Sequence, residues 1–182
     1  DAAGVTTVNG GTGVDTIIVS DVDFDNTLTI DSGTGADVIT LATTTDQAVT
    51  INIDDGDSGA ATAKTTADGA NYAAADTITV AGANLITGFT IGTDFIDYTN
   101  TGLPVTAIGV AENAFTADTA FFLSGDHVAA TGVFTITADG LGDDTLIFEN
   151  DGIAGNNDSL SVNNFAVLVG IDSDDLTAAT FI

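Results

Sequence analysis

The chain is 182 residues long and carries 27 acidic side chains against one basic one, Lys64, for a net charge of −26. Phosphate recognition needs basic groups, so nucleic acid and anionic membrane surfaces are disfavoured as partners. Cysteine is absent, which removes disulfides and thiolate metal sites, and no apolar run approaches the ~20 residues that span a bilayer.

With 44% hydrophobic residues the chain has enough apolar surface for one substantial core or two small ones. Asp1 opens an acidic, glycine-containing stretch without a signal-peptide pattern. The expectation is a fragment, a processed product or export by another route. The stretch Gly10 to Ile18, GGTGVDTII, follows. It fits glycine-glycine-x-glycine-x-aspartate-x-hydrophobic-x, in which a tight turn precedes a very short strand. Gly10, Gly11 and Gly13 permit backbone angles that a Cβ obstructs, so turn carbonyls can bend toward one point beside the Asp15 carboxylate. Ile17 then points into the core, because side chains alternate along a strand. A second copy, SGTGADVIT, begins at Ser32 and places Gly33, Gly35 and Asp37 in equivalent slots, so Asp15 and Asp37 are 22 residues apart. The strand half recurs as DTIIV from Asp15, DVITL from Asp37, DTITV from Asp76, DTLIF from Asp144 and DSLSV from Asp158.

On these residues the sequence resembles the repeats-in-toxin class of secreted, calcium-binding β-roll proteins, which includes surface-layer proteins and adhesins. The resemblance implies an all-β chain: a degenerate calcium-binding β-roll or β-solenoid leading into a C-terminal β-sheet cap. It implies calcium at Gly11, Gly13, Asp15, Gly33, Gly35 and Asp37. Family members stack their nonapeptides back to back, whereas here about a strand's worth of extra residues separates the copies, so the expectation is an elongated stack rather than a regular roll.

Between the two copies, Asp21, Asp23 and Asp25 alternate ahead of Leu28 and Ile30. In an extended chain these carboxylates share one face, which is repulsive without a cation. Asp21, Asp23, Asp25 and Asp31 are therefore candidate calcium ligands, with an exposed acidic turn as the other reading. Residues 47–59 read as a strand with Val49, Ile51 and Ile53 inward, running into Asp54, Asp55 and Asp57. This acidic turn lies about one repeat beyond Asp37 and is a candidate third site. Residues 58–75 are rich in Ala, Thr and Gly and read as an inserted surface loop, with a helical turn near Ala60 as the lesser reading. The strand pattern resumes at Asp76. In residues 85–98, Asp94 and Asp97 suit either a last metal site or a hairpin.

Pro104, the only proline, marks the expected boundary between a repeat region, 1–104, and a C-terminal part, 105–182. The second part holds most of the phenylalanines and longer strand candidates: AFFLSG, GVFTITAD, DTLIFEND and NFAVLVGI. Turns at Gly140 to Asp144 and Asn156 to Asp158 separate them, with Asp143, Asp144 and Asp158 as candidate ligands. The expected arrangement is an antiparallel or mixed sheet covering the end of the repeats. The tail, IDSDDLTAATFI, resembles the uncleaved C-terminal signal of type I secretion substrates, which implies a secreted, cell-surface or extracellular protein.

Catalysis lacks its parts. His127 is the sole histidine and sits in an expected turn; without cysteine or arginine no familiar nucleophile or zinc arrangement assembles. Nearly all the acid is aspartate, the carboxylate favoured in loop-built cation sites. An acidic surface of the kind found in proteins from salty water is the competing reading, and the two coexist. The functional expectation is a non-enzymatic surface-layer or fibre subunit that folds on binding Ca2+ and self-assembles into a sheet or filament, with cell-surface polysaccharide as a further partner. The alternatives are an adhesin or ice-binding module, suggested by Thr-x-Thr at 27, 77 and 135, and the non-catalytic tail of a secreted hydrolase.

Overall fold

The computed structural model describes residues 4–20, 27–42, 48–53, 58, 62–65, 74–97, 105–107, 119–138, 140–150 and 165–182. They form an all-β structure with two short 3-10 turns, Ser173–Asp175 and Ala178–Thr180. No helix among them is long and apolar enough to cross a membrane.

The first half alternates between two sheets. Strands β1 (Val5–Asn9), β3 (Thr27–Asp31), β5 (Val49–Asn52) and β9 (Phe95–Asp97) line up in parallel as a four-stranded sheet. Strands β2 (Thr16–Ile18), β4 (Val38–Thr40) and β8 (Asn84–Thr87) line up in parallel at one end of a ten-stranded sheet. The first two units, 22 residues apart, each give one strand to each sheet, joined through a glycine turn, and pair with each other in both; the next places are taken by β5 and, across the inserted β6 and β7, by β8. Val5 lies opposite Thr27 in one sheet, and Thr16 opposite Val38 in the other.

Parallel pairing in fixed register stacks like residues. Val8, Ile30, Ile51 and Ile96 form one row of the four-stranded sheet. Ile17, Ile39, Ile86 and Leu168 form one row of the other. Both rows belong to the same apolar cluster, and all but the outermost residues, Val8 and Ile17, are fully buried. Each such side chain contributes about 1.5–3 kcal/mol. Val49, Ile51, Ile53, Leu28 and Ile30 are inward, as their alternation requires.

The remaining strands continue the larger sheet: β6 (Thr62–Thr65), β7 (Thr77–Thr79), β10 (Val105–Ala107), β11 (Thr119–Val128), β12 (Val133–Ile136), β13 (Asp144–Asn150) and β14 (Ala166–Val169). The order is β2-β4-β8-β14-β13-β11-β12-β7-β6, with β10 parallel to β11. The pairs β14/β13, β13/β11 and β11/β12 are antiparallel, so residues 105–182 contribute to a mixed sheet. Pro104 itself lies outside the described residues. The sheet runs through both parts of the chain, since β14 pairs with β8 and β12 with β7. A second apolar cluster, built around Phe134, Phe148 and Phe165, serves the antiparallel strands.

Two local features differ from the sequence expectation. Residues 62–65 are neither loop nor helical turn but β6, paired antiparallel with β7, because the Thr-rich segment finds a strand edge to complete. His127 sits in β11 rather than in a turn, opposite Phe134 of β12, and the turn follows at Ala129 to Gly132.

Candidate functional site

The glycine turns at residues 10–13 and 33–35 lie directly against one another. Gly10 N–H donates to Asp31 O at 2.9 Å, Thr34 N–H to Gly11 O at 2.9 Å and Gly13 N–H to Thr34 O at 2.8 Å. Gly33 has φ +76°, and a Cβ there would overlap the carbonyl oxygen of Gly11; a Cβ on Gly35 would overlap that of Gly13. Glycine is therefore required twice over, by backbone angle and by the carbonyl next door.

Directly after each turn stands a polar residue of one row: Asp15, Asp37 and Asn84. Asp15 N–H donates to Asp37 Oδ1 at 2.8 Å, and Asp37 N–H donates to Asn84 Oδ1 at 2.9 Å. Asn84 Nδ2 reaches the Ser32 hydroxyl at 3.2 Å. Each unit thus reads its neighbour through a side-chain oxygen. Asp37 is fully buried. Burial pushes its carboxyl above the ordinary carboxylate value; the Asp15 N–H and the Ser32 hydroxyl oppose that rise, and the Asp15 charge adds to it. The second oxygens, Asp15 Oδ2 and Asp37 Oδ2, are enclosed and no donor meets them in hydrogen-bonding geometry; the Ser32 hydroxyl lies near the Asp37 carboxyl without reaching that geometry. An enclosed anionic oxygen with no donor is costly.

Asp31 belongs to a different row, Asn9–Asp31–Asn52–Asp97, on the four-stranded sheet. Its carboxylate accepts from Gly33 N–H at 3.0 Å and from Asn9 Nδ2 at 2.9 Å. Alternating amide with acid keeps like charges from lying directly opposite one another.

The other described candidates do separate work. Asp94 is buried and spends both oxygens on backbone donors, Val49 N–H at 3.0 Å and Thr90 N–H at 2.8 Å, which closes the Thr90 to Asp94 turn. Asp144 does the same for His127 N–H at 2.7 Å and Gly170 N–H at 2.8 Å. Exposed Asp143 donates its N–H to Asp126 Oδ1 at 3.2 Å. Asp76 stands at the head of β7. Asp21, Asp23, Asp25, Asp54, Asp55, Asp57 and Asp158 lie outside the described residues. The structure therefore brings Asp15 and Asp37 together, and with them Gly11, Gly13, Gly33 and Gly35; it keeps Asp94 and Asp144 apart from that group.

The residue that sequence reading missed is Asn84. The third place in the row was expected near Asp54 to Asp57, one repeat beyond Asp37, but β4 pairs with β8, not with a strand in that acidic stretch. The signal was present in the likeness of Asp37-Val-Ile-Thr to Asn84-Leu-Ile-Thr, hidden by the change of acid to amide and by the inserted β6 and β7.

Chemically, the turn stack offers carboxylate oxygens and backbone carbonyls, the hard donor set that suits calcium. Among the described residues no three acidic, histidine or cysteine side chains converge on one point, so most of a cation's ligands at the turns would be carbonyls. His127 has its Nε2 enclosed and unpartnered, and burial pushes its pKa down, partly offset by Asp144. No protein-family model matches the sequence, and no curated protein matches it.

Proposed function

We propose that the chain is a structural module of an extracellular protein: a short β-solenoid whose first two coils are 22 residues apart, stabilised by calcium at its glycine turns and built to self-assemble. The observation that carries this reading is the pair of enclosed, partnerless carboxylate oxygens of Asp15 and Asp37 on adjacent coils, beside crowded turn carbonyls. A cation that neutralises them and completes its shell from carbonyl oxygens removes the cost of leaving them bare. Residues of this chain that would hold it are Asp15, Asp37 and the backbone of Gly11, Gly13, Gly33 and Gly35. The ion supplies charge neutralisation and folding free energy, not chemistry on a substrate. The consequence is linkage: a chain repelling itself at net charge −26 stays open where calcium is scarce and closes where it is millimolar. In this reading the strands of residues 105–182 cover the end of the stack, and the module is non-enzymatic.

The test is a calcium titration followed by circular dichroism, with sodium at matched ionic strength as control. The expected result is strand signal and a cooperative melt that grow with calcium. Asp37→Asn preserves the acceptor for Asp15 N–H, as Asn84 does for Asp37, and is expected to weaken the calcium midpoint about tenfold or more while stabilising the calcium-free chain. Identical spectra in chelator and in excess calcium would overturn the reading.

A second reading has its own support. Thr7, Thr29 and Thr50 stack in one row of the four-stranded sheet, spaced by the ~4.8 Å between strands. Such a ladder suits a repetitive ligand, ice or a polysaccharide. Thermal hysteresis or glycan binding that disappears in Thr29→Val would favour an adhesin or ice-binding module.

A further inference from the structure

Asn9 and Gly10 are the only Asn-Gly pair in the chain, and the pairing of β1 with β3 dictates both members. Asn9 lies directly opposite Asp31 in the parallel register, where a carboxylate would face a carboxylate. The amide instead donates from Nδ2 to Asp31 Oδ2 at 2.9 Å. A Cβ on Gly10 would run into the carbonyl oxygen of Ser32, so glycine alone fits there. The fold thus installs a dipeptide with a reaction of its own. A glycine nitrogen, unhindered by a Cβ beside it, is the backbone nitrogen that most readily attacks the side-chain carbonyl carbon of a preceding asparagine. On the same row Asn52 is followed by the branched Ile53, which hinders that attack.

The reaction has three requirements: the Gly10 nitrogen loses its proton, the backbone turns to bring that nitrogen onto Asn9 Cγ, and the Asn9 side chain is free to meet it. In the folded chain each is opposed. Gly10 N–H donates to Asp31 O at 2.9 Å. Asn9 is held in extended backbone as the last residue of β1. Its amide is tied to a carboxylate that Gly33 N–H anchors at 3.0 Å, and that negative charge disfavours an anionic nitrogen beside it. We propose that Asn9 is a modification site gated by the β1–β3 pairing, preserved as asparagine while the two strands are paired and deamidated when they part. In the open chain the Gly10 nitrogen gives its proton to solvent and bonds to Asn9 Cγ, and Nδ2 leaves as ammonia. Water then opens the cyclic imide, at Cγ to give aspartate or at the main-chain carbon to give isoaspartate. The balance is amide plus water to carboxylic acid plus ammonia, with nothing oxidised or reduced. Both products oppose re-pairing. Aspartate sets a second negative charge opposite Asp31. Isoaspartate adds a main-chain atom beside the Gly10–Asp31 hydrogen bond and shifts the register on which the turns rely. Residue 9 therefore keeps a one-way record of the time the chain has spent open. The proposal rests on the β1–β3 pairing and not on calcium.

The experiment incubates the 182-residue chain at mildly alkaline pH in calcium, in chelator and in urea. The peptide containing residue 9 is followed by mass spectrometry, with enzymatic methylation of isoaspartate as a second readout. Wherever circular dichroism shows a folded chain, conversion is expected to run about tenfold or more slower than in urea, because a reaction through the open form tracks that form's population. Asp31→Ala removes the acceptor for the Asn9 amide and is expected to speed conversion several-fold in the folded chain while leaving the rate in urea unchanged. Asn9→Asp carries one product from the start and is expected to melt below wild type; together with the wild-type rates it tests the gate should the Asp31 variant not fold. Equal rates in the folded chain and in urea overturn the proposal, as do an Asp31→Ala chain that folds and converts no faster or an Asn9→Asp chain as stable as wild type. Slow conversion in a chain that folds alike in calcium and chelator sinks the calcium reading and leaves this one standing; conversion as fast as in urea, in a chain that calcium folds, does the reverse.

Discussion

Gly11 and Gly33 occupy equivalent places in the two stacked glycine turns with similar backbone angles, φ +93° and +76°, yet they differ in what surrounds them. A Cβ on Gly11 meets nothing within 4 Å, whereas one on Gly33 runs into the carbonyl of Gly11. Gly11→Ala is expected to cost only the angle, about 1–3 kcal/mol. Gly33→Ala must also push the two turns apart, adding about 1–3 kcal/mol. Urea melts of the two variants check this, and equal losses would mean that the turns do not stack. His127 gives a pH prediction at the same scale. Its folded-state pKa lies below the ordinary histidine value because burial disfavours the charged ring. The unfolded chain therefore binds more protons just below that value, and stability is lost as pH falls through the ordinary value toward the folded one. Wild type should melt lower at about pH 5.5 than at about pH 7.5, and His127→Asn, which removes the chain's only histidine, should flatten the difference.

Among elements, the C-terminal tail does two jobs with few residues. It turns through Ser173–Asp175 and Ala178–Thr180, then lays Phe181 and Ile182 along β9. Phe181→Ala removes a ring that stacks on Phe122 at the edge of the main cluster. The expected loss is about 2 kcal/mol, with faster amide exchange in β9, measured by hydrogen exchange. Exchange unchanged in β9 would show that the tail is an ornament rather than a cover. The strands themselves were legible because their chemistry is local: Leu28 and Ile30, Val49 and Ile51, and the Phe-rich segments of β11 and β13 alternate or run apolar as their burial requires. The segment that became β6 was not legible, since Thr-Ala-Lys-Thr has no pattern of its own and is a strand only because β7 offers it an edge.

For the whole molecule, charge sets the terms. At −26 over 182 residues the chain opposes its own closure, and screening relieves that. Raising sodium chloride from about 10 to 150 mM shortens the screening length from ~30 to ~8 Å. In chelator this should raise the melting temperature by several degrees; if calcium binds at the turns as proposed, the gain in saturating calcium should be smaller. A melting temperature independent of salt in chelator would show that the acid is spread too thinly to matter. The sequence by itself determined the apolar strand segments such as β3, β5, β11 and β13, the glycine positions of the turns, the 22-residue spacing of Asp15 and Asp37 and the acidity that makes a cation attractive, because each depends on residues close together in the chain. Only the tertiary structure decided that Asn84 completes the aspartate row across an insertion, that Asp94 and Asp144 are consumed by backbone donors, and that the tail lies along β9. Those outcomes depend on which strand edges meet, and meeting partners are chosen by packing over distances that no local pattern encodes.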